Sequence, residues 1–235
     1  MALLLLFGLL AGALTTVAGL GGGQLLVLAL ASFVGPREAL AISAPALLAG
    51  NLHRFALYRT HVDRRVALAF AAGALPASAL GGWLAVSLPA WLLSVLLGAT
   101  TLIAVARALG LVKLAPPPST LPAAGAVIGT ICATSSGAGL LLAPLLLSTG
   151  LSGPAYVATG ALCALSMHVG RVAGYAVGGS IGATTLMQSA ALAAAIVAGN
   201  VIGDRTRRYL PPRAEPWIEH GVLVVSVVLA VAQLF

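Results

Sequence analysis

Two arginines stand inside long apolar segments, and each is flanked by polar residues at the same spacing. The two patterns, about 117 positions apart, are Asn51-x-x-Arg54-x-x-x-Tyr58 and His168-x-x-Arg171-x-x-x-Tyr175. An arginine at membrane depth costs about 2.5–3.5 kcal/mol on insertion scales, so its charge needs a partner. The planar guanidinium can bind two oxygens of one oxyanion at once. We therefore predict that Arg54 and Arg171 bind an anionic substrate.

The acidic residues offer these arginines no obvious partner, because each lies near the end of an apolar segment. They are Glu38, Asp63, Asp204, Glu215 and Glu219. For Arg54 there is an alternative, since it precedes a basic loop by a few residues and its head group could snorkel to the membrane interface. Arg171 is followed by further apolar and small residues, which favours a position at membrane depth.

The polar residues on either side of each arginine extend the candidate site. Asn51 and His168 precede the arginines by one helical turn, on the same helix face, and could donate hydrogen bonds to a bound oxyanion. Alternatively, they bridge neighbouring helices. Tyr58 and Tyr175 follow by one turn and are either anchors at the membrane interface or donors that line a cavity.

Small-residue patches interrupt two of the apolar segments and predict broken helices. The first patch is Gly21, Gly22 and Gly23, within segment 2–34; the second is Ser135, Ser136 and Gly137, within segment 121–150. Unwound backbone inside a bilayer must be satisfied by protein or by water in a cavity. The N-terminus of a half-helix has free N–H groups and suits an anion. We predict that both patches belong to the substrate site, although close helix packing would also explain them.

The composition predicts an all-α integral membrane protein, with the lipid bilayer as the partner of most of its surface. Hydrophobic residues make up 60% of the 235 residues and charged residues 7%, with a mean hydropathy of +1.08. The net charge is +7, and most of the basic residues lie in short loops. This distribution is typical of the positive-inside rule rather than of nucleic-acid binding. No spacing of nucleophiles or metal ligands indicates an enzyme, a metal site or a cofactor.

The chain reads as one membrane domain, residues 1–235, built from two copies. Repeat one covers 1–112, a Pro-rich linker covers 113–120, and repeat two covers 121–235. The basic loop residues are Arg59, Arg64 and Arg65; Arg107 and Lys113; and Arg205, Arg207, Arg208 and Arg213. All three groups lie on the cytoplasmic side if each interrupted segment is a re-entrant hairpin. We therefore predict two inverted repeats, each a Gly-broken re-entrant helix hairpin followed by three transmembrane helices.

The motifs in their order resemble the sulfite exporter TauE/SafE family of membrane permeases. The residues that carry the resemblance are Gly19-Leu20-Gly21-Gly22-Gly23-Gln24-Leu25-Leu26-Val27, the Asn51 to Tyr58 pattern, Val62-Asp63, and Ser136-Gly137-Ala138-Gly139. The resemblance covers essentially the whole chain. It implies export of sulfite, sulfoacetate or related organosulfur anions across the cell inner membrane. The chain departs from the usual pattern at Leu28, where a proline commonly follows the first patch.

The function predicted from these observations is transport of a small sulfur-containing anion by alternating access between the two repeats. The alternative is a non-transporting membrane scaffold or assembly subunit, which would explain the hydrophobicity but not the duplicated arginine. Without a carboxylate in the interior of a span, we expect the membrane potential rather than protons to drive export, with His168 as the one strong candidate for a proton carrier. A homodimer is a further possibility.

Overall fold

The computed structural model describes residues 2–17, 21–109, 111, 120–207, 209–211 and 214–232, and it is helical throughout, with no strand in those ranges. The helices are α1 (Ala2–Val17), α2 (Gly22–Val34), α3 (Pro36–Tyr58), α4 (Arg64–Ser87), α5 (Ala90–Ala108), α6 (Leu121–Ser135), α7 (Ala138–Ser148), α8 (Gly153–Val177), α9 (Ala183–Arg207) and α10 (Ala214–Ala232). A short 3₁₀ helix, Arg59–His61, follows α3. The predicted helical class is confirmed. The linker residues 113–119 lie outside the described residues, as do Gly19 and Leu20, which directly precede the first small-residue patch.

Three of the described helices, α4, α5 and α9, are long and apolar enough to cross a membrane. This agrees with a membrane protein, although the sequence predicts six full crossings. The helices α3 and α8 have 23 and 25 residues, which is long enough to span, but they carry the two polar arginine patterns. Polar residues lower the mean hydropathy of a helix even when the helix is long enough to span a bilayer.

The helix starts follow from local sequence chemistry. Gly35, with φ of 81°, ends α2 and allows the turn into α3, whose first residue is Pro36. A proline suits this position because the N–H that it lacks has no acceptor there. Asp63 caps α4 by accepting a hydrogen bond from the Val66 N–H at 3.0 Å.

The two helix breaks predicted from the small-residue patches are present. Before α2, Gly21 has φ of 103°, a conformation that glycine adopts readily. Between α6 and α7, Ser136 has φ of 59° and its N–H donates to the carbonyl of Cys132 at 3.1 Å. Each break therefore ends one helix and starts another inside an otherwise apolar segment.

Close helix pairs show in which direction neighbouring helices run. Along α1 and α9, Gly8 packs on Leu192 and Gly12 on the Ile196 carbonyl, so residue numbers rise together and the two helices are parallel. A Cβ atom on Gly12 would overlap that carbonyl, which shows why a glycine stands there.

The pair α6 and α4 repeats this arrangement in the other half of the chain. Gly125 packs on the Phe70 carbonyl and Gly129 on the backbone of Ala74, so these helices are also parallel. Helix α8 runs in the same direction as α4, because Gly170 packs on Leu75 and Gly178 packs on Val86.

The helices α3 and α8 cross at the centre and run in opposite directions. Leu40, near the start of α3, contacts Arg171, near the end of α8, whereas Asp63, after α3, contacts Thr159 near the start of α8. Helix α3 is parallel to α9, since Ile42 contacts Ser189 and Gly50 contacts Asn200.

The core divides into two apolar clusters on either side of this crossing. One cluster joins α1, α2, α3 and α9 and includes Leu28 and Leu192. The other joins α4, α6, α7 and α8 and includes Phe70 and Met167. The polar residues of the candidate site lie between the clusters, on helices that are held from both sides.

Candidate functional site

A cavity of about 80 Å³ lies between the two helix breaks, and polar groups from both halves of the chain line it. Its backbone wall includes Gly21, Gly23, Ala138 and Gly139; its polar side chains are Thr15, Gln24, Asn51, Arg54, Cys132, Ser136, Tyr156, His168 and Asn200. The remaining wall is apolar, with Leu47, Leu142 and Met167 among its members. Such a lining, mostly apolar with a few convergent polar groups, is typical of small-molecule sites.

Arg54 supplies a positive charge to this cavity. Its side chain is only 8% exposed, donates to the Asn51 Oδ1 atom, and contacts the Thr15 carbonyl at 3.3 Å. This burial among protein groups favours a place in the cavity wall over a head group at the membrane interface. Among the lining residues that the structure describes there is no carboxylate. Arg54 thus brings a guanidinium to the cavity wall, and a guanidinium is a group that can bind an anion.

The N-termini of α2 and α7 add backbone donors to the same cavity. The first helical hydrogen bond of α2 runs from the Leu25 N–H to the Gly21 carbonyl at 3.1 Å, so the N–H groups of residues 22–24 have no acceptor within the helix. Ala138 and Gly139 bring the start of α7 to the opposite wall. Two helix N-termini and one arginine thus converge on one small volume.

Two buried polar atoms in the cavity wall have no hydrogen-bond partner among the described residues. They are Oε1 of Gln24 and Nδ1 of His168, on side chains that are 2% and 7% exposed. A buried polar atom without a partner costs free energy. Both atoms belong to residues that line the cavity, where a bound molecule could reach them.

Arg171 lies behind the cavity wall and does not line it. Its side chain is 0% exposed, and its guanidinium is held by four hydrogen bonds to neutral groups. The acceptors are the Tyr175 hydroxyl at 3.2 Å, Ser136 Oγ at 3.3 Å, the Leu40 carbonyl at 2.8 Å and Ser43 Oγ at 3.0 Å. Because Ser136 also lines the cavity, one side chain separates Arg171 from it.

The predicted site residues are therefore divided by the structure. Those that line the cavity are Gly21, Gly23, Asn51, Arg54, Ser136 and His168; those that do not are Gly22, Tyr58, Ser135, Gly137, Arg171 and Tyr175. Tyr175 is buried and donates to the Ala133 carbonyl, so it is not an interfacial anchor. Tyr58 donates to Asp204 at 2.6 Å, and neither residue lines the cavity, although each follows a lining residue by one helical turn.

Five polar lining residues, Thr15, Gln24, Cys132, Tyr156 and Asn200, were not assigned to the site from the sequence. Asn200 is 1% exposed, donates to the Gly50 carbonyl at 3.0 Å and accepts from Thr16 at 3.1 Å. A lone asparagine in the apolar helix α9 was a signal that could have found it. Gln24 directly follows the first glycine patch, and that position was its signal.

Metal binding finds no support in the part of the chain that the structure describes, where histidine, cysteine and acidic side chains form no group of three or more. Cys132 and Cys163 are both buried, unpaired thiols.

The comparisons with known proteins agree with the resemblance found in the sequence. The family described as "Sulfite exporter TauE/SafE" matches residues 4–232 of the chain. No curated protein and no solved structure gave a significant match. The matched range contains both arginine patterns, both helix breaks and every residue that lines the cavity.

Proposed function

This chain belongs to the sulfite exporter TauE/SafE family, and from that premise we propose that its central cavity carries a small sulfur-containing anion, such as sulfite or sulfoacetate, across the cell inner membrane. The observation that carries the proposal is the buried Arg54 in a cavity with two helix N-termini and no carboxylate among its described lining residues. Such a site binds an oxyanion through charge and several donors at once. The family is one of transporters, which agrees with a protein that is not an enzyme.

The helix directions support an architecture of two inverted repeats. Helices α1, α3 and α9 share one direction, whereas α4, α6 and α8 share the other, so α1, α3 and α4 of repeat one run opposite to their counterparts α6, α8 and α9 of repeat two. Contacts of Gly23 with Leu47 and of Gly160 with Leu146 place α2 against α3 and α7 against α8 as antiparallel neighbours. Each broken segment then folds back as a re-entrant hairpin with its tip at the cavity.

The unequal positions of the two arginines support alternating access. Arg54 faces the cavity, and the lining residue Tyr156 lies near the start of α8, close to where Thr159 contacts Asp63. The cavity therefore lies towards the basic loop after α3, which the positive-inside rule assigns to the cytoplasm. In the state that opens to the other side, Arg171 would exchange its bonds to Leu40 and Ser43 for the anion.

The charge of the cavity also bears on the energy source. An anion leaves a cell whose interior is negative without any coupled ion, and each charge gains about 2.3 kcal/mol per 100 mV. The described lining residues include no carboxylate that could carry a proton, and His168 is the one histidine among them. We therefore expect electrogenic export.

The test is anion flux in proteoliposomes under a potential set by potassium and valinomycin. We expect the potential alone to drive sulfite flux, and Arg54→Ala to reduce that flux about 10- to 100-fold, because a hydrogen bond to a charged group contributes about 1.5–3 kcal/mol. Arg37→Ala is the control, since Arg37 is exposed and contacts only the Leu88 carbonyl among its described hydrogen bonds.

Two results would contradict the proposal. Absence of flux for every sulfur oxyanion under any gradient would favour the scaffold alternative. Flux that ignores the potential but follows an imposed pH gradient would refute electrogenic export and would make His168 the proton carrier.

A further inference from the structure

We propose that the cavity selects a monoanion that keeps a hydrogen-bond donor of its own, an O–H or N–H group, and that Oε1 of Gln24 accepts that donor. The inference rests on the proposed function and narrows the substrate class of the same site. Hydrogensulfite in its hydroxyl form is such an anion, whereas fully deprotonated sulfite offers acceptors only.

The first step is the position of Gln24 at the break before α2. It is the third residue of that helix, its side chain is 2% exposed, and it lines the cavity. Its Oε1 atom is buried and meets no donor within the described ranges. A buried amide oxygen without a donor is unfavourable, so this atom is satisfied best by a donor that enters the cavity.

The second step is that the orientation of the Gln24 amide is fixed by α5. Its Nε2 atom donates to Thr101 Oγ1 at 2.9 Å, while the Thr101 hydroxyl donates to the Leu97 carbonyl at 2.8 Å. The Thr100 hydroxyl likewise donates to the Leu96 carbonyl at 2.9 Å. Because the hydroxyl protons of Thr100 and Thr101 are both donated to backbone carbonyls, these hydroxyls offer only lone pairs to the Gln24 amide. The Nε2 donor fits against such lone pairs, whereas a flipped amide would bring the acceptor Oε1 against another acceptor oxygen.

The third step concerns the groups that surround Oε1. A Cβ atom on Gly137 would lie 2.7 Å from Oε1, so the glycine of the second break is what allows this oxygen to lie so close to the backbone there. Arg54, the start of α2 and the start of α7 surround the remaining volume with donors. Oε1 and His168 Nδ1 are the two unpartnered polar atoms of the described wall, and of these only the amide oxygen accepts in every protonation state. An anion with acceptors alone leaves Oε1 unpaired, so this atom favours an anion with a donor.

Sulfamate and methanesulfonate test the inference, because both are monoanions of similar shape and they differ by an amino group in place of a methyl group. We expect the wild-type protein to transport sulfamate at least about tenfold more efficiently, since a site with a buried polar group rejects an analogue that leaves it unpaired. In Gln24→Met the ratio of the two fluxes should fall to about one. Ser32→Ala, on the same helix but outside the cavity wall, should keep the wild-type ratio.

A second variant covers the case in which Gln24→Met does not fold. Thr101→Val leaves Gln24 in place but removes the nearest of the three acceptors of its Nε2 atom, leaving the Leu97 carbonyl at 3.4 Å and Thr100 Oγ1 at 3.5 Å, so the flux ratio should also fall, but less than in Gln24→Met. Equal transport of both anions by the wild-type protein, as expected if an internal water satisfies Oε1, would overturn the inference alone. So would a ratio that persists in Gln24→Met. If no anion moves at all, the proposed function fails and this inference with it.

Discussion

At the scale of single residues, two arginines with the same sequence environment perform different tasks in this state of the protein. Arg54 lines the cavity, where its bond to Asn51 orients it. Arg171 is fully buried and joins α8 to α3 and to the second break through neutral acceptors. A buried guanidinium that has no carboxylate partner is stabilised by making several hydrogen bonds at once. Its planar geometry therefore matters as well as its charge.

Arg171 is therefore predicted to support stability as well as transport. Arg171→Ala should lower the free energy of unfolding by about 1.5–3 kcal/mol, because it removes the charged donor that holds Leu40 and Ser43. Arg171→Lys should be intermediate, since a lysine keeps the charge but loses the planar fork. Thermal unfolding in detergent measures the first effect and proteoliposome flux the second. Variants with wild-type stability and flux would show that these bonds are dispensable.

At the scale of elements, glycines allow the parallel helix pairs to approach until their backbones touch. In α6, a Cβ atom on Gly129 would lie 2.6 Å from the Ala74 carbonyl oxygen and 3.0 Å from the Ala74 Cα atom. Small residues drive such close packing because lipid offers no hydrophobic force between helices. The packing of α6 on α4 therefore depends on the flat faces that glycine gives to a helix.

Gly129→Ala is predicted to destabilise the protein, whereas Gly98→Ala is not. The added methyl group at position 129 meets backbone that cannot rotate away, and overpacking of this kind costs about 1–3 kcal/mol. At Gly98, on α5, a Cβ atom would meet nothing within 4 Å. Thermal unfolding of the two variants, side by side, measures the difference. Equal melting temperatures would show that α4 and α6 can separate without cost.

At the scale of the whole molecule, the helix directions show which helix ends lie at the same face. Helices α3 and α9 are parallel, so the loop after α3 and the end of α9 lie at the same face, while the end of α8 lies at the other. Basic residues follow both α3 and α9, whereas Gly178 and Gly179 follow α8. The loops that follow α3 and α9 therefore share one face, and the positive-inside rule predicts that this face is cytoplasmic.

Cysteine labelling from each side of the membrane tests this topology. With Cys132 and Cys163 replaced by alanine, Thr60→Cys and Arg207→Cys should react from the cytoplasmic side, and Gly179→Cys from the opposite side. A membrane-impermeant maleimide, applied to intact cells and to inverted vesicles, measures the accessibility of each position. Labelling of positions 179 and 207 from the same side would exclude the inverted arrangement.

Much of the site was predictable, because helix breaks and charges depend on residue types and on their spacing along the chain. The broken helices followed from Gly21 and Ser136, and the electropositive character followed from Arg54 among apolar neighbours. The contribution of Asn200 was not found, because α9 reaches the cavity through its packing on α1 and α3, which residue spacing within α9 does not reveal.

The sequence by itself determined the helical class, the positions of the breaks and the family, since each depends on hydrophobicity, glycine or charge along the chain. Only the tertiary structure decided which arginine faces the cavity. Arg171 is held behind the cavity wall by hydrogen bonds to Leu40 and Ser43, which are 131 and 128 positions away in the sequence. The repeated motif around each arginine cannot predict contacts with residues so distant. The orientation of Gln24 was likewise decided by Thr101, 77 positions away, because a helix from another part of the chain holds its amide nitrogen.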